Sequence, residues 1–255
     1  MKGFLEEYGL IIVVVAVILL MLLFGKSGYA KSIQNAILGS ADHIVETGEN
    51  ITKKEVHVTA GDTLDIEGNK YVVLEERENN QALVMTASSI GSKTFQSGAR
   101  SDGQNKNTYE GSGIDNYLEN EWYNNLSSTM KAAIQTTNIK QASYATWNDP
   151  DSKQETGYKG QVYNTISRHA FLPSVSEIGK VVDLKNPDKV KAFLNGTTIW
   201  TRDSSQSFDD RAERLLSNSG SLDANYVFFT NGVHPAFVID LSKVDYKVAG
   251  HTDYK

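Results

Sequence analysis

The longest unbroken apolar stretch of the chain comes at its start. Leu10 to Phe24 reads LIIVVVAVILLMLLF, fifteen residues without a polar side chain, and with Tyr8, Gly9 and Gly25 the uncharged run reaches 18. A bilayer core needs about 20 apolar residues, so the run is just long enough for a transmembrane helix. Beyond it, Ala30, Ile33, Ile37, Ala41 and Ile44 recur at spacings of 3 and 4, which is one face of an α-helix. The pattern predicts a helix from about Phe4 to Val45, roughly 60 Å long at the α-helical rise. Three readings are open: a signal anchor, a cleaved signal peptide ending at Gly28-Tyr29-Ala30, or a helix used first as an anchor and then as a filament core. Glu6 and Glu7 speak against the cleaved form, whose first segment wants net positive charge.

After residue 46 the pattern changes. Thr47–Lys54 is polar and reads as a hinge, which divides the chain into a helix (1–46), a linker (47–54) and a globular domain (55–255). Glu55–Thr59 alternates, with Val56 and Val58 on one side. Asn69–Glu75 and Gln81–Thr86 are β-rich runs joined by the charged turn Glu76–Asn80, predicting an antiparallel meander. Gly91–Gly113 and Ser143–Gly160 are polar and read as loops. Ile114, Tyr117, Leu118, Trp122 and Tyr123 have helical spacing. Ser127 or Ser128 then caps a second helix through Met130, Ala133 and Ile134. Ala170–Leu172 reads as a short buried strand. Ser174 caps a helix carrying Val175, Ile178 and Val181, with Glu177 at the N3 position of a capping box. Val190–Leu194 continues as a helix after Pro187. Strands at Thr197–Thr201, Tyr226–Thr230 and Ala236–Leu241 close the chain. The predicted class is α+β: a long apolar α-helix, then a domain with a small antiparallel sheet, two or more helices and long loops.

Composition narrows the function. Charged residues make up 22% and the formal net charge is −6. No basic stripe is present, so no nucleic acid is expected as a partner. With no cysteine, disulfides, thiolate catalysis and Cys-ligated zinc are excluded. His43, His57, His169, His234 and His251 are scattered, with no H-E-x-x-H pair, and no G-x-S-x-G is present. His169, beside Arg168, reads as a polar group at a core edge. Trp200-Thr201-Arg202-Asp203, with Asp209, Asp210 and Arg211, predicts a buried ion-pair network that stabilises the fold. Trp122, Tyr123, Phe171, Trp200, Phe228 and Phe237 read as core. Tyr109, Tyr144, Trp147, Tyr158 and Tyr163 lie in or beside polar loops, where exposed aromatics suit recognition of protein or sugar. No cofactor is implied.

Two resemblances add to this. Glu7-Tyr8-Gly9-Leu10-Ile11, the apolar run and Ile33-Gln34-Asn35-Ala36-Ile37 resemble the short Flp-type (Tad) type IV pilins. The resemblance implies that Glu7, with Tyr8 beside it, meets the amino terminus of a neighbouring subunit during assembly. A carboxylate at the edge of an apolar helix is costly and needs such a reason. The second resemblance rests on blocks in order: Gly61-Asp62-Thr63, Tyr71-Val72-Val73-Leu74, Ala82-Leu83-Val84-Met85, Tyr117-Leu118 to Trp122-Tyr123, Phe171-Leu172-Pro173-Ser174, Trp200-Thr201-Arg202 and Gly232-Val233-His234-Pro235-Ala236. They resemble an uncharacterised bacterial surface-domain family similar to the C-type-lectin-like and formylglycine-generating-enzyme fold, in which His234 stands where Arg is usual. The oxidase branch of that fold uses paired cysteines, which this chain lacks. Trp147-Asn148-Asp149 repeats a triplet of calcium-binding lectins, and Asp149 and Asp151 are the calcium candidates, with a solvated loop as the alternative.

These readings lead to one expectation and two rivals. The expectation is a non-enzymatic, surface-displayed binding protein: a pilin-like filament subunit whose apolar helices pack in the core while the lectin-like domain mediates adhesion. Its partners are membrane lipid or other copies of itself through the N-terminal helix, and a protein or glycan on the displayed loops. It is expected in the cell membrane as a single-pass protein with an extracellular domain. The first rival is a membrane-anchored sensor or accessory receptor that does not polymerise; the second is a cell-surface enzyme.

Overall fold

The chain divides into two units, Met1–Lys54 and Glu55–Lys255. The computed structural model describes residues 58–140, 165–205 and 207–255, all within the second unit. The described residues form strands β1 (Asp62–Ile66), β2 (Asn69–Arg77), β3 (Gln81–Thr86), β4 (Ser92–Thr94), β5 (Ile134–Gln135), β6 (Thr137–Ile139), β7 (Ile166–Arg168), β8 (Ile199–Ser204), β9 (Arg211–Leu215), β10 (Leu222–Tyr226), β11 (Thr230–Gly232), β12 (Ala236–Asp240) and β13 (Tyr246–His251). Short helices α1 (Gly113–Tyr117), α2 (Ser128–Ala133), α3 (Val175–Gly179) and α4 (Pro187–Leu194) lie between them.

The strands build three sheets. The first runs β13-β1-β2-β3-β12-β5, the second β10-β9-β8-β11-β4, and β6 pairs with β7. Among the described strands, pairing is antiparallel except for β11 with β8. The meander at β1–β3 is set by local chemistry. Glu67 and Gly68 take positive φ between β1 and β2, and Asn79 and Asn80 do so between β2 and β3. Paired left-handed residues of this kind match the twist of the flanking strands.

The first sheet is apolar on both faces because its alternating side chains feed two cores. Val72, Leu74, Leu83, Met85 and Val238 enter one, together with Trp200, Phe95, Ile114 and Ile178. Tyr71, Val73, Ala82, Val84, Phe237 and Ile239 enter the other, covered by Met130 and Ala133 of α2. The helices end in different ways. The run that begins at α1 widens into a π turn at Leu118–Trp122 and closes in a 3-10 turn at Tyr123–Asn125, and α2 ends where Ile134 becomes extended and joins β12. Asn195 closes α4 in the left-handed conformation.

Several expectations need correction. The class is mostly β, in sheets larger than the small one expected of an α+β lectin-like domain, and the helices are short. Among the described residues no helix is long and apolar enough to cross a membrane. That overturns the single-pass, cell-membrane placement as far as the structure extends; the long helix expected over 1–46 lies outside the described residues. The buried strand expected at Ala170–Leu172 is a single bridge, Phe171 to Ala236, because Pro173 and the cap at Ser174 follow at once. The strand expected at Tyr226–Thr230 is broken: β10 ends at Tyr226, β11 begins at Thr230, and residues 227–229 turn between them.

Candidate functional site

The motif blocks meet in the interior. Ser174 and Glu177 form a capping box around α3, each side chain accepting the other's backbone N–H. The same Glu177 carboxylate receives both terminal nitrogens of Arg202, at 2.5 and 2.7 Å. Arg202 donates its remaining hydrogen bonds to the carbonyls of Lys140 and Leu172, and its guanidinium lies 5.5 Å from the Phe171 ring centroid. Burial disfavours charge on Glu177, yet the Arg202 charge, the paired hydrogen bonds and the Ser174 N–H hold its carboxyl below the ordinary value. The ion pair expected around Trp200–Asp203 therefore exists, but with Glu177 and not with Asp209, Asp210 or Arg211. It cross-links β8 to α3, with Arg202 buried and the Glu177 side chain only 13% exposed, which makes it a structural tie.

Next to it lie two acids of another character. Asp203 is fully buried; one oxygen accepts the Val175 N–H at 2.6 Å and the other has no partner. Glu213 is 2% exposed, also with a bare oxygen. Burial pushes Asp203 up to about 7 against the pull of Arg202. Burial, with the charges of Asp203 and Asp223, pushes Glu213 up to about 8. A buried carboxyl without enough donors binds its proton more tightly in this way.

The exposed chemistry lies at the free edge of the second sheet. β10 is an edge strand among the described residues. Tyr226, at its end, faces Arg211 across the β9–β10 register. The Arg211 guanidinium carbon lies 3.9 Å from the Phe208 ring centroid and 4.5 Å from that of Tyr226, and the guanidinium donates to the Tyr226 hydroxyl at 3.1 Å. Tyr226 in turn stacks on Phe228 at 5.2 Å and 22°, while Phe229 packs on both rings. Phe208, Phe228 and Phe229 are 43%, 50% and 50% exposed. The result is a row of ring and cation contacts held against the sheet, with large apolar faces left open. Asp209 and Asp210 flank it; their backbone carbonyls are used, but their carboxylates bond to nothing among the described residues.

Phe228 was expected in the core and lies in this surface. Tyr109, expected as a recognition aromatic, is buried, and its hydroxyl oxygen accepts from the Leu172 N–H at 3.0 Å. Trp200, Phe171 and Phe237 are core as expected. His169 sits at an edge: Nδ1 is 2.7 Å from Glu119, Nε2 is 3.0 Å from the Thr136 hydroxyl, and the ring stacks on Tyr123. His234 is buried and donates from Nδ1 to the Thr86 carbonyl, and burial lowers its pKa. Glu7, Tyr8, Tyr144, Trp147, Asp149, Asp151, Tyr158 and Tyr163 lie outside the described residues. Among those described, no three His, Asp or Glu side chains are grouped to hold a metal ion. The Tyr226, Phe228 and Phe229 cluster was missed because a strand-like run of aromatics is the sequence pattern of a core. Only the turn at 227–229, which swings both phenylalanines outward, separates the two cases.

A family model described as "Domain of unknown function (DUF6273)" matches residues 79–241. That span holds the Arg202–Glu177 pair and the whole aromatic row. No curated protein matches the chain, and no solved structure does.

Proposed function

We propose that this chain, which belongs to the DUF6273 family, is a non-enzymatic recognition protein that docks a partner protein on its aromatic row. The observation that supports this is the open face of Phe208, Phe228 and Phe229 around Arg211. Rings already packed against one another lose little freedom on binding, and such rigid aromatics are the usual anchors of protein contacts. The carboxylates of Asp209 and Asp210, which bond to nothing among the described residues, add the charge preference. The partner presents an arginine or lysine beside an aromatic or aliphatic side chain, so that its apolar part covers Phe228 and Phe229 and its cation meets the acids. In this reading residues 1–46 join copies of the chain into a filament, with Glu7 and Tyr8 at the contact.

Panning a random peptide library against the full-length chain tests the docking. Enriched peptides carry a basic residue next to an apolar one, and Phe228→Ala with Phe229→Ala weakens them by roughly tenfold or more. Peptides that bind this variant as well as the parent protein place the contact elsewhere and end the proposal.

A further inference from the structure

A second place on the domain has the make-up of a ligand site, and it shares no residue with the aromatic row. It is an open cavity of about 450 Å³ at the end of the β1–β2 hairpin, walled by Asn69, Lys70, Tyr71, Thr86, Ser88 and Trp122, with Leu126 and Ile90 beside them. Its volume falls in the range of small-molecule sites. The cavity forms where the apolar packing of the second core gives out. Tyr71 and Thr86 are direct partners on β2 and β3, so their side chains share one face of the sheet. Further in, that face carries Val73 and Val84 into the core.

The polar groups there are unspent. Thr86 is 8% exposed and its hydroxyl has no partner among the described residues, an unusual cost for a buried hydroxyl. The hydroxyls of Tyr71 and Ser88 bond to nothing among the described residues. Burial and the charge of Glu67 push Tyr71 up to about 12, so it stays a neutral donor. The Asn69 amide makes one long bond, 3.5 Å to the Glu67 carbonyl. On the other wall Trp122 is half-buried and braced against Phe237, with ring centroids 5.9 Å apart. The one cation, Lys70, sits 3.7 Å from Asp65, so little net charge is offered to a ligand.

From this combination we infer that the cavity is a binding site for a neutral pyranose sugar. A sugar ring has an apolar C–H face, which suits the indole of Trp122 and the Leu126 side chain. It also has a rim of hydroxyls that both donate and accept, which suits Thr86, Tyr71, Ser88 and Asn69. A phosphate or carboxylate ligand needs an unpaired cation, and a purely apolar one strands the Thr86 hydroxyl.

The test is saturation-transfer NMR and calorimetry on the full-length chain with methyl glycosides of glucose, galactose, mannose and N-acetylglucosamine, and with glucuronate as the charged control. At least one neutral glycoside binds in the millimolar range or tighter. Thr86→Val and Asn69→Ala each weaken it by roughly tenfold, while Phe228→Ala leaves it unchanged. Thr86→Val keeps the shape and removes an unsatisfied hydroxyl, so its melting temperature does not fall; should it fail to fold, Ser88→Ala takes its place. The inference is overturned if no neutral glycoside binds, if glucuronate alone binds, or if Thr86→Val and Asn69→Ala bind as the parent does. Because the aromatic row is tested with peptides, either site can fail without the other.

Discussion

Gly220 shows how single positions carry this fold. Its φ is +69°, and a Cβ there would lie 2.1 Å from the Pro187 carbonyl oxygen at the start of α4. Gly220→Ala combines a left-handed backbone with a backbone clash and costs about 3 kcal/mol, read as a lowered midpoint in urea with unchanged slope. Arg202 is the second such position. Its pairing with Glu177 replaces solvation that both lose on burial. Arg202→Met leaves Glu177 buried without its partner and costs about 3–5 kcal/mol. Replacing Glu177 by Gln in the same chain restores part of that loss, because the remaining group is neutral and still caps α3. A double-mutant cycle measured by denaturant unfolding gives the coupling; additive losses would contradict the pairing.

At the scale of the element, β8 is the unusual strand. Its six residues, Ile199–Ser204, are all buried although four of them are polar. It lies between β9 and β11 in the second sheet, and α3 packs over it through the Asp203–Val175 and Arg202–Glu177 bonds. The acids on β8 and β9 give the pair a pH response. Asp203 at about 7 and Glu213 at about 8 bind protons more tightly folded than unfolded. Between about pH 4 and about pH 8 the folded state therefore holds more protons, and stability falls as pH rises through that window. Arg202 pulls Asp203 down and Glu177 pushes it up, while Asp203 and Asp223 push Glu213 up. Thermal melts of Asp203→Asn and Glu213→Gln should lie at or above the parent at pH 8 and show no gain at pH 5. A gain that is the same at both pH values would show that ionisation is not the cause.

For the whole molecule, the two cores on either side of the first sheet separate stability from surface chemistry. The aromatic row is bound to the edge of the second sheet and contributes few buried contacts to either core. Phe228→Ala and Phe229→Ala accordingly cost about 1 kcal/mol or less each, read by calorimetry, while together weakening peptide binding by roughly tenfold or more. A loss of several kcal/mol would identify those rings as structural. The assembly half of the proposal is tested on cells: Glu7→Ala removes the chain from sheared filaments, whereas a chain that never polymerises is absent from the sheared fraction with or without the change.

Local chemistry in the sequence determined the parts that need only near neighbours. The β2–β3 meander follows from two short apolar runs, Tyr71–Leu74 and Ala82–Met85, and from Asn79 and Asn80 in the turn. The cap at Ser127, the capping box at Ser174 and Glu177, and Pro187 opening α4 were legible for the same reason: each is a contact within three or four residues. The end of α2 was not legible, because Ile134, which stops it, belongs to a strand paired at long range with Ile239. Burial of polar β8 was likewise decided in three dimensions, where α3 brings the Val175 N–H and Glu177 to it. The exposure of Phe228 and Phe229, and the cavity shared by Asn69, Thr86 and Trp122, depend on which sheet edge and which strand ends remain uncovered. Periodicity reports which residues lie on one face of one element, and only packing between elements decides whether that face meets a core or the solvent.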